Sequence, residues 1–284
     1  VEKDQIPRQL SESDGVAPNL TWNDSPETHE LLEAHSGRVA VLQLNRPHVR
    51  NALSAELLVS LTNALHRLDG SDEVHVVVLT GGERFFAAGA DIAAMAGASS
   101  AEMATRPQLG CWQRLRQIRK PLIGAVNGYA LGGGAELVWL CDLVIAGEGA
   151  RFGQPEIALG LMPGGGATQR LPRSIGKARA IEMILLGEPI TAWDAFDMGL
   201  INRVVPDELV LGSAIRVAEQ IAEKSLEAVM AAKAAVLASF GLTIEEGLNQ
   251  ERAGFNGLFD TRDAQEGMTA FLEKRRPVFG RASV

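Results

Sequence analysis

Two glutamates and a run of glycines carry the chemistry that can be read in this chain. Leu122-Ile-Gly-Ala-Val-Asn-Gly-Tyr-Ala-Leu-Gly-Gly-Gly-Ala-Glu136 is an apolar run that ends in three consecutive glycines and then an acid. Such a segment joins the end of a strand, a tight turn and a carboxylate. Glycines let a ligand approach the main chain closely, leaving backbone N–H groups free to point at a carbonyl oxygen. A second acid, Glu156, closes Phe152-Gly-Gln-Pro-Glu, and a second glycine turn occurs upstream in Ala87-Ala-Gly-Ala-Asp91. Two acids with backbone donors suit proton transfer on an activated carbonyl. An isolated glutamate is most often a solvated surface residue. It is the glycine turns beside Glu136 and Glu156 that set this pair apart. Spacing alone leaves a second reading of both glycine stretches, as plain turns beside strands.

Other chemistries lack their residues. Gly132-Gly-Gly-Ala-Glu-Leu137 and Gly164-Gly-Gly-Ala-Thr-Gln169 both miss the third glycine of a dinucleotide-binding turn. Gly176-Lys177 is followed by Ala and has no upstream glycine, so there is no phosphate-binding P-loop. The five histidines all precede the glycine-rich region, and no serine occupies a Gly-x-Ser-x-Gly elbow. Cys111 and Cys141 have no metal-type spacing and read as reduced core thiols. No metal site is expected.

The elements that must position these residues follow from the apolar pattern. From Arg38 onward short β-rich runs alternate with helical ones: strands at Val39–Leu44, Val74–Leu79, Leu122–Val126 and Leu143–Ala146, and a helix at Ser54–Asp69 with Leu57, Leu58, Leu61 and Leu65 on one face. This alternation predicts an α/β fold. After Pro206 only helices are predicted, over Ser213–Lys224, Leu226–Ser239, Thr243–Phe259 and Asp263–Arg275.

Composition sets outer limits. The chain has 284 residues, 46% of them hydrophobic and 22% charged, enough to bury a full core, and its net charge of −8 is the wrong sign for a general nucleic-acid binder. Its longest uncharged run, Pro121 to Ala135, is shorter than the roughly 18 apolar residues of a membrane span, so a soluble protein is expected. Residues 1–36 are polar and rich in Ser, Asp, Glu and Pro, and read as a disordered extension. They carry no apolar core of a secretory signal and are too acidic for a mitochondrial transit peptide.

Taken together, Asn45-Arg-Pro, Arg50-Asn-Ala-Leu, Phe86-Ala-Ala-Gly-Ala-Asp, Gly128-Tyr-Ala-Leu-Gly-Gly-Gly-Ala-Glu-Leu, Cys141-Asp, Phe152-Gly-Gln-Pro-Glu, Pro163-Gly-Gly-Gly-Ala-Thr-Gln-Arg-Leu and Phe271-Leu-Glu-Lys-Arg-Arg make this chain resemble the crotonase (enoyl-CoA hydratase/isomerase) superfamily, from about Val39 to about Arg276. The resemblance is greatest to the enoyl-CoA hydratases. It implies a crotonase-like spiral of β-β-α units over residues 37–205, followed by a helical C-terminal region, 206–284, that packs in trimers or hexamers. The implied reaction adds water to a trans-2-enoyl-CoA to give a 3-hydroxyacyl-CoA, with Glu136 as the base on water and Glu156 as the acid towards Cα. The implied oxyanion donors are the N–H groups of Ala90 and Gly133, with Gly164 helping to hold the water. Ala52, Leu53, Ala88, Gly89, Asp91 and Ile92 match the segments that grip coenzyme A, and Arg50 and Lys274 match residues near its phosphates, with Lys274 reaching a neighbouring subunit in the implied assembly. Coenzyme A is then part of the substrate, and no metal, flavin or nicotinamide is implied.

The resemblance also carries rivals. A Δ3-Δ2 enoyl-CoA isomerase needs only one carboxylate shuttle, and decarboxylase and thioester hydrolase members exist. One relative binds AU-rich RNA through a basic helix, for which Arg114, Arg116, Arg119 and Lys120 are the counterpart. The compartment implied is cytoplasmic for a bacterial chain and the mitochondrial matrix for a processed eukaryotic one. Acyl length is not encoded in any motif; the resemblance implies that the stretch Met95–Leu109 supplies part of the pocket wall, and fatty-acid β-oxidation, phenylacetate breakdown and branched-chain catabolism all stay open.

Overall fold

The computed structural model describes residues 17–280. Three antiparallel strands open the fold, β1 (Asn23–Ser25), β2 (Thr28–Ser36) and β3 (Val39–Leu44), followed by helix α1 (Ala55–Asp69). Ser54 caps α1, its hydroxyl accepting from the Leu57 N–H. Three strand pairs then come in succession: β4 (Val76–Thr80) with β5 (Phe85–Ala87), β6 (Leu122–Val126) with β7 (Tyr129–Leu131), and β8 (Leu143–Gly147) with β9 (Arg151–Gly153). Helices α2 (Ile92–Met95), α3 (Ser100–Thr105) and α4 (Pro107–Leu115) follow the first pair, and α5 (Gly133–Val138) follows the second. Helix α6 (Ala167–Leu186), interrupted at Gly176, follows the third. Then come β10 (Ile190–Thr191), α7 (Ala192–Asp197), β11 (Arg203–Val205) and the helices α8 (Val210–Ala222), α9 (Leu226–Ala238), α10 (Ile244–Leu258) and α11 (Arg262–Leu272).

Each strand pair gives one strand to each of two sheets. The large sheet runs β1-β2-β3-β4-β6-β8-β11 and is parallel from β3 onward; the small one runs β10-β9-β7-β5, with only β10 antiparallel. The result is the expected α/β spiral of β-β-α turns. A parallel sheet buried on both faces needs strands that are apolar throughout. That is why Val39, Val41, Val76, Val78 and Ile145 pack against Ala214, Ile215 and Ala218 of α8, while the alternate residues Leu42, Val77 and Leu79 join Leu57, Leu61, Phe86 and Phe152 in the other core.

One expectation is corrected here. Residues 23–36, read from the sequence as disordered, form β1 and β2 on the edge of the large sheet, with Leu31 opposite Leu44 and Ser36 opposite Val39. Only Leu31, Glu33 and Ala34 of β2 are buried, too few for the alternation to show. The polar residues instead serve an ion-pair cluster in which Arg67 of α1 meets Glu27 and Glu33. Residues 1–16, the rest of that stretch, lie outside the described residues.

The C-terminal helices pack unequally. Helix α8 buries one face in the sheet, whereas neither α9 nor α10 has a buried residue among those described. No helix of the described residues is long and apolar enough to cross a membrane.

Candidate active site

The glycine triplet lies between the small sheet and α5, and each glycine meets a different demand. Gly132 has φ 51° and ψ −126°, a conformation closed to residues with a Cβ, and its N–H ties it to Gly153 O at 2.9 Å. Gly134 lets α5 lie on β5, since a Cβ there would stand 2.3 Å from Ala87 O. Gly133 opens the helix, so its N–H precedes any intrahelical acceptor.

The Ala90 N–H comes to the same place from the loop after β5. Leu53 and Ala90 form an isolated parallel bridge in which the Leu53 N–H donates to Gly89 O at 2.7 Å and the Asp91 N–H donates to Leu53 O at 3.1 Å. In such a bridge the Ala90 N–H faces away from Leu53. A Cβ on Gly133 would lie 3.7 Å from the Ala90 nitrogen, and one on Gly89 would lie 3.8 Å from the Gly133 nitrogen, so the two peptides are neighbours. Neither N–H has an acceptor among the described residues.

Glu136 stands in the first turn of α5 and is 3% exposed. Its Oε1 accepts the N–H groups of Gly165 at 2.7 Å and Ala167 at 3.0 Å, at the start of α6. Burial raises its pKa above the usual carboxylate range, while those N–H groups and Arg170 oppose the rise. Arg170 donates to Gly165 O at 3.3 Å.

Glu156 rises from a 3-10 turn, Pro155–Leu159, and is half-buried. A Cβ on Gly132 would lie 3.1 Å from its Oε1, which places this carboxylate directly against the glycine turn. Burial, with repulsion from Glu136, pushes its pKa up to about 7 despite an opposing backbone hydrogen bond. With its amide oriented by the surrounding network, Gln154 donates to both carboxylate oxygens at 3.1 and 3.2 Å and accepts from Trp139 Nε1 at 3.1 Å.

Several residues here were not singled out from the sequence. Trp112 of α4 lines the site: a Cβ on Gly165 would stand 2.8 Å from its ring and 2.7 Å from Glu136 Oε2. It lies just past the Met95–Leu109 stretch named as a pocket wall, and no local motif marks it. Gln154 and Arg170 stand inside quoted motifs without having been given a role. The backbone donors on Glu136 are Gly165 and Ala167; the Gly164 N–H has no acceptor among the described residues.

The segments expected to grip coenzyme A form one ledge. Ala52 and Leu53 lie beside 88–92 through the Leu53–Ala90 bridge and the Ala88 N–H bond to Arg50 O at 3.0 Å. Asp91 turns its carboxylate towards Arg46, 3.4 Å away. Lys274 follows α11 with φ 54°, and no described contact joins it to the ledge. Of the basic cluster 114–120, Lys120 is 3% exposed and bonded to the carbonyls of Leu68 and Ser71, and Arg119 pairs with Asp69. Among the described residues no group of three or more His, Cys, Asp or Glu is placed to hold a metal ion.

Comparison with known proteins agrees across sequence and structure. The profile of the family described as enoyl-CoA hydratase/isomerase matches residues 34–282. The chain is 50% identical to 2,3-dehydroadipyl-CoA hydratase of Escherichia coli K12, over 88% of this chain and 98% of that protein. It is 46% identical to the mitochondrial enoyl-CoA hydratase of Pongo abelii, over 85% of this chain and 83% of that one. A crystal structure of enoyl-CoA hydratase from Bacillus anthracis superposes with a TM-score of 0.83 at 37% identity, covering 93% of this chain and 99% of that one.

Proposed function

The chain belongs to the enoyl-CoA hydratase/isomerase family, and from that premise we propose that Glu136 and Glu156 add water across the double bond of a 2-enoyl-CoA bound on the 52–53 and 88–92 ledge. Its fold is the crotonase fold, and the protein is an enoyl-CoA hydratase, a hydro-lyase. The observation that carries the two-acid mechanism is the placement of two carboxylates, Glu136 and Glu156, at the glycine turns beside two N–H groups that have no acceptor among the described residues.

The steps follow from the charges. Attack of the water oxygen on Cβ moves electron density onto the thioester oxygen, where the Ala90 and Gly133 N–H groups stabilise it; one such donor lowers the barrier by about 3 kcal/mol. Glu136, whose Oε1 accepts two backbone N–H groups, takes the proton from water. Glu156, with a pKa of about 7, keeps a proton near neutrality and gives it to Cα. The Gly164 N–H lies beside the Glu136 donors and orients the water. Arg50 and Lys274 contact the phosphates of coenzyme A, Lys274 from a neighbouring copy.

Residues 37–205 form the catalytic core and 206–284 the assembling region, as trimers or hexamers. Val236, Leu237, Phe255 and Phe259 of the C-terminal helices are apolar and 47–65% exposed, a surface that another copy would cover. A monomer by light scattering at micromolar concentration would reject this part.

The test of the function compares wild-type turnover of crotonyl-CoA with that of a 3-enoyl-CoA. Faster hydration of crotonyl-CoA is expected; faster conversion of the 3-enoyl ester would make the isomerase the main activity. Acetoacetyl-CoA, an enolisable product-like thioester, should raise Tm by mass action, while NAD should not.

A further inference from the structure

The bridge that aims the Ala90 N–H is gripped by one arginine. Arg46, in the turn after β3, has a side chain only 13% exposed. Its Nη1 donates to Ala52 O at 2.6 Å and lies 3.4 Å from Asp91 Oδ2, and its Nε lies 2.9 Å from Glu30 Oε1 on β2. Ala52 precedes Leu53 and Asp91 follows Ala90, so a single guanidinium touches the residue beside each half of the bridge. The same turn is pinned from its other side by Asn51, 2% exposed and left-handed at φ 56°. Its Oδ1 accepts the Arg46 N–H at 2.9 Å, and its Nδ2 donates to Gly81 O at 2.8 Å and Phe86 O at 3.0 Å.

We propose that Arg46 is a positioning residue for the reaction. It fixes the spacing of the 50–53 and 88–92 loops and thereby the direction of the Ala90 N–H, with Asp91 as its counter-charge instead of a coenzyme A contact. The proposal rests on the reading of Ala90 as an oxyanion donor. Such a donor acts only when its nitrogen stands about 2.7–3.1 Å from the charged oxygen, so a loop shift of about 0.5 Å is enough to lose the bond. The guanidinium reaches a carbonyl and an aspartate from Nη1 while its Nε stands in ion-pair range of a glutamate; the ammonium of a lysine is a point charge that cannot span those positions at once.

The experiment uses the full-length chain as wild type, Arg46→Met, Arg46→Lys and Arg46→Ala, with 4-dimethylaminocinnamoyl-CoA as probe. The long-wavelength absorption of this thioester moves to the red when hydrogen bonds polarise its carbonyl, which a general loss of stability does not reproduce in folded protein. Wild type should show the red shift. Arg46→Met and Arg46→Lys should bind the probe within about threefold of wild type yet lose most of the shift. Their kcat for crotonyl-CoA should fall at least ~10-fold with KM changed far less. Ethylguanidinium should restore part of both signals to Arg46→Ala. If Arg46→Met does not fold, Arg46→Lys, which keeps the charge, decides. A full red shift with wild-type kcat in the folded variants would overturn the proposal. No red shift in wild type would instead sink the Ala90 reading on which it rests.

Discussion

Glu136 is nearly enclosed and gives one oxygen to the N–H groups of Gly165 and Ala167, whereas Glu156 stands half-exposed on a 3-10 turn with the Gln154 amide as its polar neighbour. Burial raises the pKa of both. In Glu136 two short backbone donors favour the charged form against that burial. Glu156 has no such pair, and the charge of Glu136 adds to its burial, so its pKa reaches about 7. The Gln154 amide works in the opposite direction, since donors to both oxygens favour a carboxylate. Two identical side chains are thus placed in unequal surroundings by the turns that hold them, the pattern by which paired acids divide the roles of base and acid.

The largest effect expected from breaking this pair comes from removing either charge. Glu136→Gln and Glu156→Gln should each lower kcat for crotonyl-CoA hydration at least ~10²-fold, with KM changed much less. The glutamine oxygen at 136 still accepts the Gly165 and Ala167 N–H groups, so the fold should persist. With a 3-enoyl-CoA, an enzyme acting mainly as an isomerase would keep most of its rate in one of the two variants. Near wild-type hydration by either variant would remove the division of roles.

A steric change at the Glu136 turn should come next in size. A Cβ at Gly165 would stand 2.7 Å from Glu136 Oε2 and 2.8 Å from the Trp112 ring, so Gly165→Ala must displace one of them. A displacement near 1 Å at a reacting group costs up to about 10² in rate, and a kcat loss of about 10- to 100-fold is expected. At Gly164 a Cβ meets nothing within 4 Å, and Gly164→Ala keeps the backbone N–H. Its kcat should stay within about threefold of wild type. Equal losses in the two variants would show that the support of Glu136 had been assigned to the wrong peptide.

The pH profile reads the titration of the pair directly. Glu156 must hold its proton to serve as the acid, so kcat/KM should fall as pH rises through about 7, by about tenfold per pH unit once it is ionised. Glu136 must be charged to act as the base, so activity should also fall at acid pH, where that carboxylate with its raised pKa takes up a proton. The two limbs belong to the coupled pair. In Glu156→Gln the alkaline limb should vanish from the residual activity. Its persistence would assign that limb to another group.

The same contrast explains what the sequence revealed. Glu136 and Glu156 were legible because each sits within a few residues of the glycines that make its turn. Strands β3, β4, β6 and β8 of the large sheet were legible because both faces are buried and their apolar runs are continuous, whereas the half-exposed edge strands β1 and β2 were not. The small sheet was not: β5, β7 and β9 are three residues each, too short to show a period. Trp112 and Arg46 act across the fold, on residues 53 and 45 positions away in Gly165 and Asp91, and no local spacing records such a contact. Helix α8 starts at Val210, earlier than the predicted Ser213, because a 3-10 turn over Asp207–Leu209 leads the chain into it.

The smallest effect is on stability and has the opposite sign to the effect on rate. A carboxylate whose folded pKa lies above its unfolded value favours the folded state below the unfolded pKa, and that advantage is lost as pH rises to the folded pKa. For Glu156 the window runs from the ordinary glutamate value of 4.5 to about 7, and above it the ionised side chain opposes folding. Glutamine carries no charge to desolvate. Glu156→Gln should therefore be more stable than wild type at pH 8, by about 1 kcal/mol once its partial exposure to solvent is allowed for, or roughly 2–4 °C in Tm. At pH 5 most of the difference should disappear. Thermal melts of the two proteins at both pH values measure it. A Tm for Glu156→Gln that is equal to or below that of wild type at pH 8 would mean that Gln154 outweighs burial, leaving Glu156 an ordinary carboxylate and the two turns alike in what they do to a proton.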